Sequence, residues 1–222
     1  KKATAQGLEW KKMTEDQISD YLRQGIEQYV NEEMRITKTA ENEFVLNALS
    51  EELERIVKVL TEYLKSAEGD FYESEHGFNE KIGGMNITGS IDRIDTANIL
   101  GEEYFRIIDY KSGNDHDFKL DEFIKGKSLQ LMVYVIVAKR LFAGEKKVAG
   151  ANYFMINLPY GENEHELFSD KKMTGFTCDD INVVSAFYGT DESEKILSAN
   201  IGIKGKGEKR EFSAKGKNKV YS

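Results

Sequence analysis

The sequence predicts a mixed α/β (α+β) fold, with a mixed central sheet flanked by helices. Three observations support this. Apolar residues recur at helical spacing over the first third of the chain. Short apolar segments divided by glycine replace that pattern after Gly69. A strongly apolar helix-like run then stands between those segments and a further buried strand. With 222 residues, 40% hydrophobic and 32% charged, the chain suits one domain or at most two and can bury a core.

Thr14-Glu15-Asp16-Gln17 has the Thr-x-x-Gln form of a capping box, in which hydroxyl and amide each satisfy an end-group of the first turn. A helix therefore starts there, with Ile18, Tyr21, Leu22, Tyr29 and Val30 on one face. A longer helix follows from about Glu41 to Ala67, its stripe formed by Leu49, Leu53, Ile56, Val57, Leu60, Tyr63 and Leu64, and Gly69 suits its end. Both stripes read as core packing. Phe71–Phe78, Met85–Asp92 and Tyr104–Lys111 read as strands, with turns at Gly83-Gly84 and Gly101. A helix from about Ser128 to Phe142 ends at Gly144. Val148–Leu158 is a buried strand stopped by Pro159, and weaker helices fall at Asp179–Tyr188 and Glu192–Ala199. Three regions result: residues 1–70, helical and packing on the core; 71–200, the core; and 201–222, a basic, glycine-rich segment forming a loop or ragged hairpin.

Composition removes several function classes. The single cysteine, Cys178, excludes a disulfide framework and cannot alone hold a zinc ion or an iron–sulfur cluster, which suits a reducing, cytoplasmic setting. The longest near-apolar run, Leu129 to Ala138, is far short of the ~20 residues of a membrane span. The Lys1-Lys2 opening predicts no signal peptide, and the abrupt basic end predicts a domain of a longer protein. With 31 Lys+Arg against 39 Asp+Glu the net charge is −8, which argues against a protein that coats DNA. Charge is uneven, however. Residues 201–222 hold seven basic and two acidic side chains, which read as a solvated segment or a phosphate-contacting arm.

His76, His116 and His165 lie far apart in polar surroundings and read as exposed surface residues. No nucleophile turn and no Walker-type glycine loop is present. Carboxylates remain. Ile107-Ile108-Asp109-Tyr110-Lys111 closes an apolar strand with an acid and a lysine two apart, and alternation puts Asp109 and Lys111 on one face and Tyr110 on the other. Gly89-Ser90-Ile91-Asp92 sets a second acid at the end of the preceding strand. A hairpin across Thr96–Glu103 would bring Asp92 and Asp109 together. Two carboxylates, a backbone carbonyl and waters suit Mg²⁺. A lysine beside such an ion can orient a water or steady charge developing on a phosphate. Asp/Glu-x-Lys occurs five times in the chain, so the tripeptide alone carries little. Asp109 is singled out by ending an apolar run after another strand that ends in Asp. Pattern alone leaves two readings open: a metal site, or a structural salt bridge among Asp109, Lys111 and Arg93.

Gly89-Ser90-Ile91-Asp92-Arg93-Ile94-Asp95, Ile107-Ile108-Asp109-Tyr110-Lys111-Ser112-Gly113 and Ser128-Leu129-Gln130-Leu131-x-x-Tyr134 closely resemble the RecB-type nucleases of the PD-(D/E)XK superfamily. Among these the chain looks most like the C-terminal nuclease region of the AddB (RexB) family. The likeness spans roughly Phe71 to Leu158. It implies a restriction-endonuclease-like core in which Asp92, Asp109 and the backbone carbonyl of Tyr110 ligate Mg²⁺, with Mn²⁺ able to substitute, and Lys111 is the catalytic lysine. Gln130 and Tyr134 match the Gln-x-x-x-Tyr helix motif, near the site and the DNA, although a polar cap on a buried helix also accounts for them. Arg93 supports the site. Glu75 falls where many such nucleases carry an acid on the first strand.

The implied activity is exonucleolytic hydrolysis of DNA ends, single-stranded ends included, during double-strand-break processing for recombinational repair. It is performed with a helicase–nuclease partner of the AddA/RexA type and with no membrane. A weakly active or inactive strand-guiding module of such a complex, and a stand-alone nuclease, are the alternatives. Two departures stand out. No histidine matches the family's extra metal ligand, which predicts weak metal binding and feeble isolated activity. Cys178 matches none of the four cysteines many relatives place around an iron–sulfur cluster, so none is expected in this stretch.

Overall fold

The computed structural model describes residues 10–34, 39–112, 119–156, 173–189, 201–204 and 211–214. The chain divides into two compact units, Lys1–Lys65 and Ser66–Ser222. The first holds helices α1 (Glu15–Tyr29) and α2 (Ala40–Ser66). The capping box forms as its pattern requires: Gln17 N–H donates to Thr14 Oγ1 at 3.3 Å and Thr14 N–H to Gln17 Oε1 at 2.9 Å. Ser19 Oγ donates to Glu54 Oε1 at 2.6 Å, tying α1 to α2, and Ile18 and Ile56 are buried. The expectation that both stripes are core fails in part. Tyr29, Leu49 and Leu53 are exposed, and so are Phe44 and Val45 on the same helix. Helix length is the reason. At about 1.5 Å per residue, the 15 residues of α1 cannot cover the 27 of α2.

The second unit is built on strands β1 (Asp70–Ile82), β2 (Met85–Ile99), β3 (Glu102–Lys111), β4 (Lys147–Met155), β5 (Met173–Cys178), β6 (Ile201–Lys204) and β7 (Glu211–Ala214). They form one sheet in that order. The first three are antiparallel, β3 and β4 are parallel, β5 is antiparallel to β4 and parallel to β6, and β7 closes a short hairpin. Parallel neighbours need a crossover. Helices α3 (Leu120–Ile124) and α4 (Gln130–Leu141) lie between β3 and β4 in the chain, and α5 (Ile181–Tyr188) lies between β5 and β6. The result is the mixed sheet with flanking helices that the sequence predicts. The β2–β3 turn is tighter than expected. Leu100 and Gly101 both have positive φ, 52° and 84°, the pattern of a two-residue hairpin turn that matches strand twist, and Gly101 N–H donates to Asn98 Oδ1 at 3.2 Å.

Strand alternation splits β3 between two layers. Phe105 and Ile107 join Leu131, Val135 and Ala138 of α4 in the main core, with Ile94 and Ala151 beside them. On the other face α5 buries Val183, Val184 and Phe187, its start capped by Asp180, whose Oδ1 accepts from Asn182 N–H at 3.0 Å. Strand β5 is not anticipated by the sequence, because Gly175 in its middle reads as a breaker. Here it permits close approach instead: a Cβ would lie 2.2 Å from the Ala151 carbonyl oxygen of β4. His76 is half-buried against Glu73, Nδ1 to Oε2 3.0 Å, rather than a free surface residue. His116, His165, Leu158, Pro159 and the Glu192–Ala199 helix lie outside the described residues.

Candidate functional site

The site begins where two strands part. The β2–β3 ladder runs from Ile99 opposite Glu102 to Arg93 opposite Ile108, and β3 continues alongside β4 until Lys111 meets Met155. Asp92 and Asp109 are the next residues beyond that last β2–β3 pair, at the mouth of a fork. Tyr110 N–H, which a continuing ladder would give to a backbone carbonyl, donates instead to Asp92 Oδ2 at 2.7 Å. Asp92 is therefore not at the end of its strand, as expected, but in its interior. β2 runs on to Ile99, and what ends at Asp92 is its pairing with β3.

On the other side of β2, Ser74 faces Arg93 and His76 faces Ile91, which sets Glu75 opposite Asp92. Glu75 has a φ of 54°, rare for a residue with a side chain. Ser90 Oγ donates to its Oε2 at 3.4 Å.

Asp109, Lys111, Gln130 and Tyr134 form one network. Alternation along β3 sends Asp109 and Lys111 to the α4 face, and Gln130, the first residue of α4, hangs over them with Tyr134 one turn later on the same side. The Lys111 ammonium is ion-paired with Asp109 Oδ2 and donates to Gln130 Oε1 at 2.9 Å. Gln130 Nε2 donates to Asp109 Oδ1 at 3.1 Å and to Tyr134 Oη at 2.9 Å. The orientation of this amide is forced: an ammonium can only donate and a carboxylate only accept, so Oε1 must face Lys111 and Nε2 must face Asp109.

Burial pushes the Tyr134 phenol up, and the carboxylates of Asp109, Asp92 and Glu75 add to this against the hydrogen bond from Gln130. Tyr153, opposite Asp109 on β4, carries its ring 5.2 Å from Lys111 Nζ, and burial together with Asp109 pushes its phenol up to about 12. Both tyrosines are neutral at ordinary pH and act as hydrogen-bonding or apolar walls.

Arg93 does not join this group. Neighbouring residues on a strand point to opposite faces, and Arg93 turns away from Asp92 into the layer under α5. Its Nε donates to Asp95 Oδ1 at 2.7 Å and its Nη2 to Asp95 Oδ2 at 3.1 Å. Arg106 Nε donates to the same Oδ2 at 2.9 Å, and its Nη1 to the Phe187 carbonyl near the end of α5 at 2.6 Å. Tyr188 stacks on Arg106, 4.5 Å from guanidinium to ring centroid, and its hydroxyl bonds Asn152. The salt-bridge alternative is therefore met only between Asp109 and Lys111, and Arg93 has a different carboxylate. Burial works against all these charges. Even so, the two guanidiniums hold Asp95 below the usual carboxylate range, and Asp95 holds Arg93 fully protonated. Sequence reasoning missed Asp95 and Arg106, although alternation from Asp92 and from Tyr110 assigns both to this face.

The donors on the α4 side are hard oxygens. Among the described residues no three His, Cys, Asp or Glu side chains gather at metal-ligating spacing. Protein ligation would thus come from the two carboxylates and main-chain oxygen, a sparse set that suits Mg²⁺, which keeps several waters and binds through one or two carboxylates plus substrate phosphate. A carboxylate offers about four lone-pair positions, more than the bonds described here occupy.

Comparison with known proteins agrees with this geometry. A model of the PD-(D/E)XK nuclease superfamily matches residues 4–199. An ATP-dependent helicase/deoxyribonuclease subunit of Clostridium perfringens (strain SM101), of the second of that enzyme's two named types, is 25% identical over 83% of this chain and 18% of its own length. Its namesake from Desulforamulus reducens is 29% identical over 82% of the chain and 18% of its own, and that of Bacillus velezensis 29% identical over 94% and 20%. The chain thus spans about a fifth of the length of the curated relatives it matches. With the superfamily match covering most of its residues, the chain belongs to the PD-(D/E)XK nuclease superfamily.

Proposed function

We propose that the chain is a metal-dependent deoxyribonuclease module. It would hydrolyse phosphodiester bonds at DNA ends, single strands included, as the exonuclease part of a helicase–nuclease complex with an AddA/RexA-type partner, processing double-strand breaks for recombinational repair in the cytoplasm. The observation that carries this reading is the fork, where Asp92 and Asp109 emerge from separate strands beside Lys111 and Gln130.

Asp92 and Asp109 would hold Mg²⁺, or Mn²⁺ in its place, with the Tyr110 carbonyl. When bound, the ion would lower the pKa of a water and neutralise charge on the phosphate. The chain's own contribution is placement. Tyr110 N–H fixes the Asp92 carboxylate, Gln130 fixes Asp109 and the Lys111 ammonium together, and Lys111 presents a positive charge to a water or a phosphate oxygen. Tyr134 and Tyr153 wall the site. Glu75 adds negative charge at its rim.

The test is cleavage of end-labelled single-stranded and duplex DNA with Mg²⁺ or Mn²⁺, comparing wild type with Asp109→Ala and Lys111→Ala. Metal-dependent cleavage lost in both variants is expected. Cleavage unaffected by either substitution would overturn the site. A folded wild type without cleavage under any metal would favour a strand-guiding module.

A further inference from the structure

We infer that the buried cluster of Arg93, Asp95 and Arg106 is a positioning device: it clamps β2 to β3 on the reverse face, behind Asp92 and Asp109, and so sets the separation at which the two carboxylates share one divalent ion. The inference rests on the metal reading above and concerns residues that reading does not use. Arg93 belongs to the last β2–β3 pair, and its Nη1 reaches across the fork to Tyr110 Oη at 3.5 Å, beyond the end of the ladder. Its other nitrogens grip Asp95, whose Oδ2 is shared with Arg106 of β3, and Arg106 is anchored in turn on the Phe187 carbonyl. Side chains therefore cross between the strands on both sides of the last backbone pair.

Two forces make such a clamp useful. The paired carboxylates repel one another and tend to widen the fork. On the α4 side, the bond from Tyr110 N–H to Asp92 spans the gap. A trio of two cations and one anion is also a poor way to gain stability alone, since well-packed apolar residues do as well or better. What directional bonds add is a fixed distance. The positive end of the cluster lies against the C-terminal turn of α5, where helix carbonyls favour a cation.

The experiment uses the 222-residue chain and three variants: Arg93→Lys, Tyr110→Phe and Tyr188→Phe. Mn²⁺ is titrated in and free Mn²⁺ is followed by its electron paramagnetic resonance signal, with thermal unfolding recorded in parallel. Arg93→Lys keeps the charge and loses the fork-spanning geometry; its Mn²⁺ affinity is expected to fall about tenfold. Tyr110→Phe deletes one oxygen and is expected to weaken Mn²⁺ about threefold while melting within a few degrees of wild type. Tyr188→Phe removes a buried hydrogen bond of the same layer away from the fork. It is expected to lower the melting temperature and leave Mn²⁺ affinity within about twofold. The clamp is overturned if affinity tracks melting temperature across the variants, or if Tyr110→Phe binds like wild type. Should Arg93→Lys fail to fold, Tyr110→Phe and Tyr188→Phe decide alone. Absence of Mn²⁺ binding by wild type overturns the metal reading itself, and the clamp with it.

Discussion

On the α4 side of the fork stand Asp92, Asp109 and Lys111. On the α5 side, one residue away along either strand, stand Arg93, Asp95 and Arg106. Both groups mix acids and bases, and both lie in the same sheet. On the reverse face the side chains of Arg93, Asp95 and Arg106 are 7%, 2% and 2% exposed, and each charge meets an opposite charge or a carbonyl. On the front, Lys111 keeps 21% of its side chain in solvent, Asp92 is half-buried and Asp109 retains lone-pair capacity beside a half-wet lysine. Closure separates the two groups, not composition. The reverse cluster is sealed by a helix, whereas the front cluster opens where a ladder ends. Substitutions should therefore hurt the front through chemistry and the reverse through folding.

The largest effect is expected on the front. Asp92→Asn keeps an oxygen for Tyr110 N–H but removes a charge, so DNA cleavage should drop roughly a hundredfold or more while the melting temperature holds or rises as carboxylate repulsion is relieved. Steady-state cleavage and calorimetric melting, measured on one preparation, check both halves. A large loss of stability would mean that Asp92 is a structural acceptor first.

Next comes the reverse face. Asp95→Ala leaves two buried guanidiniums without their carboxylate and should cost about 3–5 kcal/mol in denaturant unfolding. pH gives the same test without mutation. Asp95 is held below the usual carboxylate value, so its contribution is complete above the unfolded-state pKa of about 3.9 and is lost as pH falls through the lower folded value. Wild type should therefore lose stability progressively below about pH 4, and an Asp95→Asn variant should show a shallower acid limb. Equal acid limbs would remove Asp95 from the account.

The contrast also marks what can be read in the sequence. The capping box, the apolar α4 and the three glycine-divided strands are legible because each is a local signal, a period or a turn. Asp109 and Lys111 share a face because alternation is local too. Asp92 is recognisable as an acid near a strand's end, but the fork that makes it special is a property of pairing between strands, and no local pattern encodes where a ladder stops. Arg93 looks like a site residue because its neighbour is one, yet the same alternation that places Lys111 sends it to the other face. Residues 173–178 escape notice because a strand whose middle glycine lets two backbones approach looks like a loop until its partner is known.

A smaller effect should come from the hub of the front network. Gln130→Ala removes the group that holds Lys111 and Asp109 together yet leaves their ion pair, so cleavage is expected to fall about tenfold with little change in metal affinity. A loss as deep as that of Lys111→Ala would raise Gln130 from a positioning residue to a direct participant.

The smallest effect is expected at Tyr134. Tyr134→Phe keeps the edge-to-face packing on Phe78, ring centroids 5.9 Å apart at 79°, and deletes only the hydroxyl that accepts from Gln130 Nε2. Gln130 still donates to Asp109 and accepts from Lys111, so two of its three contacts fix the amide without help. Stability should change by less than about 1 kcal/mol and cleavage by about threefold at most. If the hydroxyl also touches DNA, the loss would appear in KM and leave kcat unchanged, because a contact made equally in ground and transition states alters binding alone. A fall in kcat with KM unchanged would instead show that Tyr134 steadies the Lys111–Gln130–Asp109 geometry, making the α4 side as dependent on a relay of side chains as the α5 side.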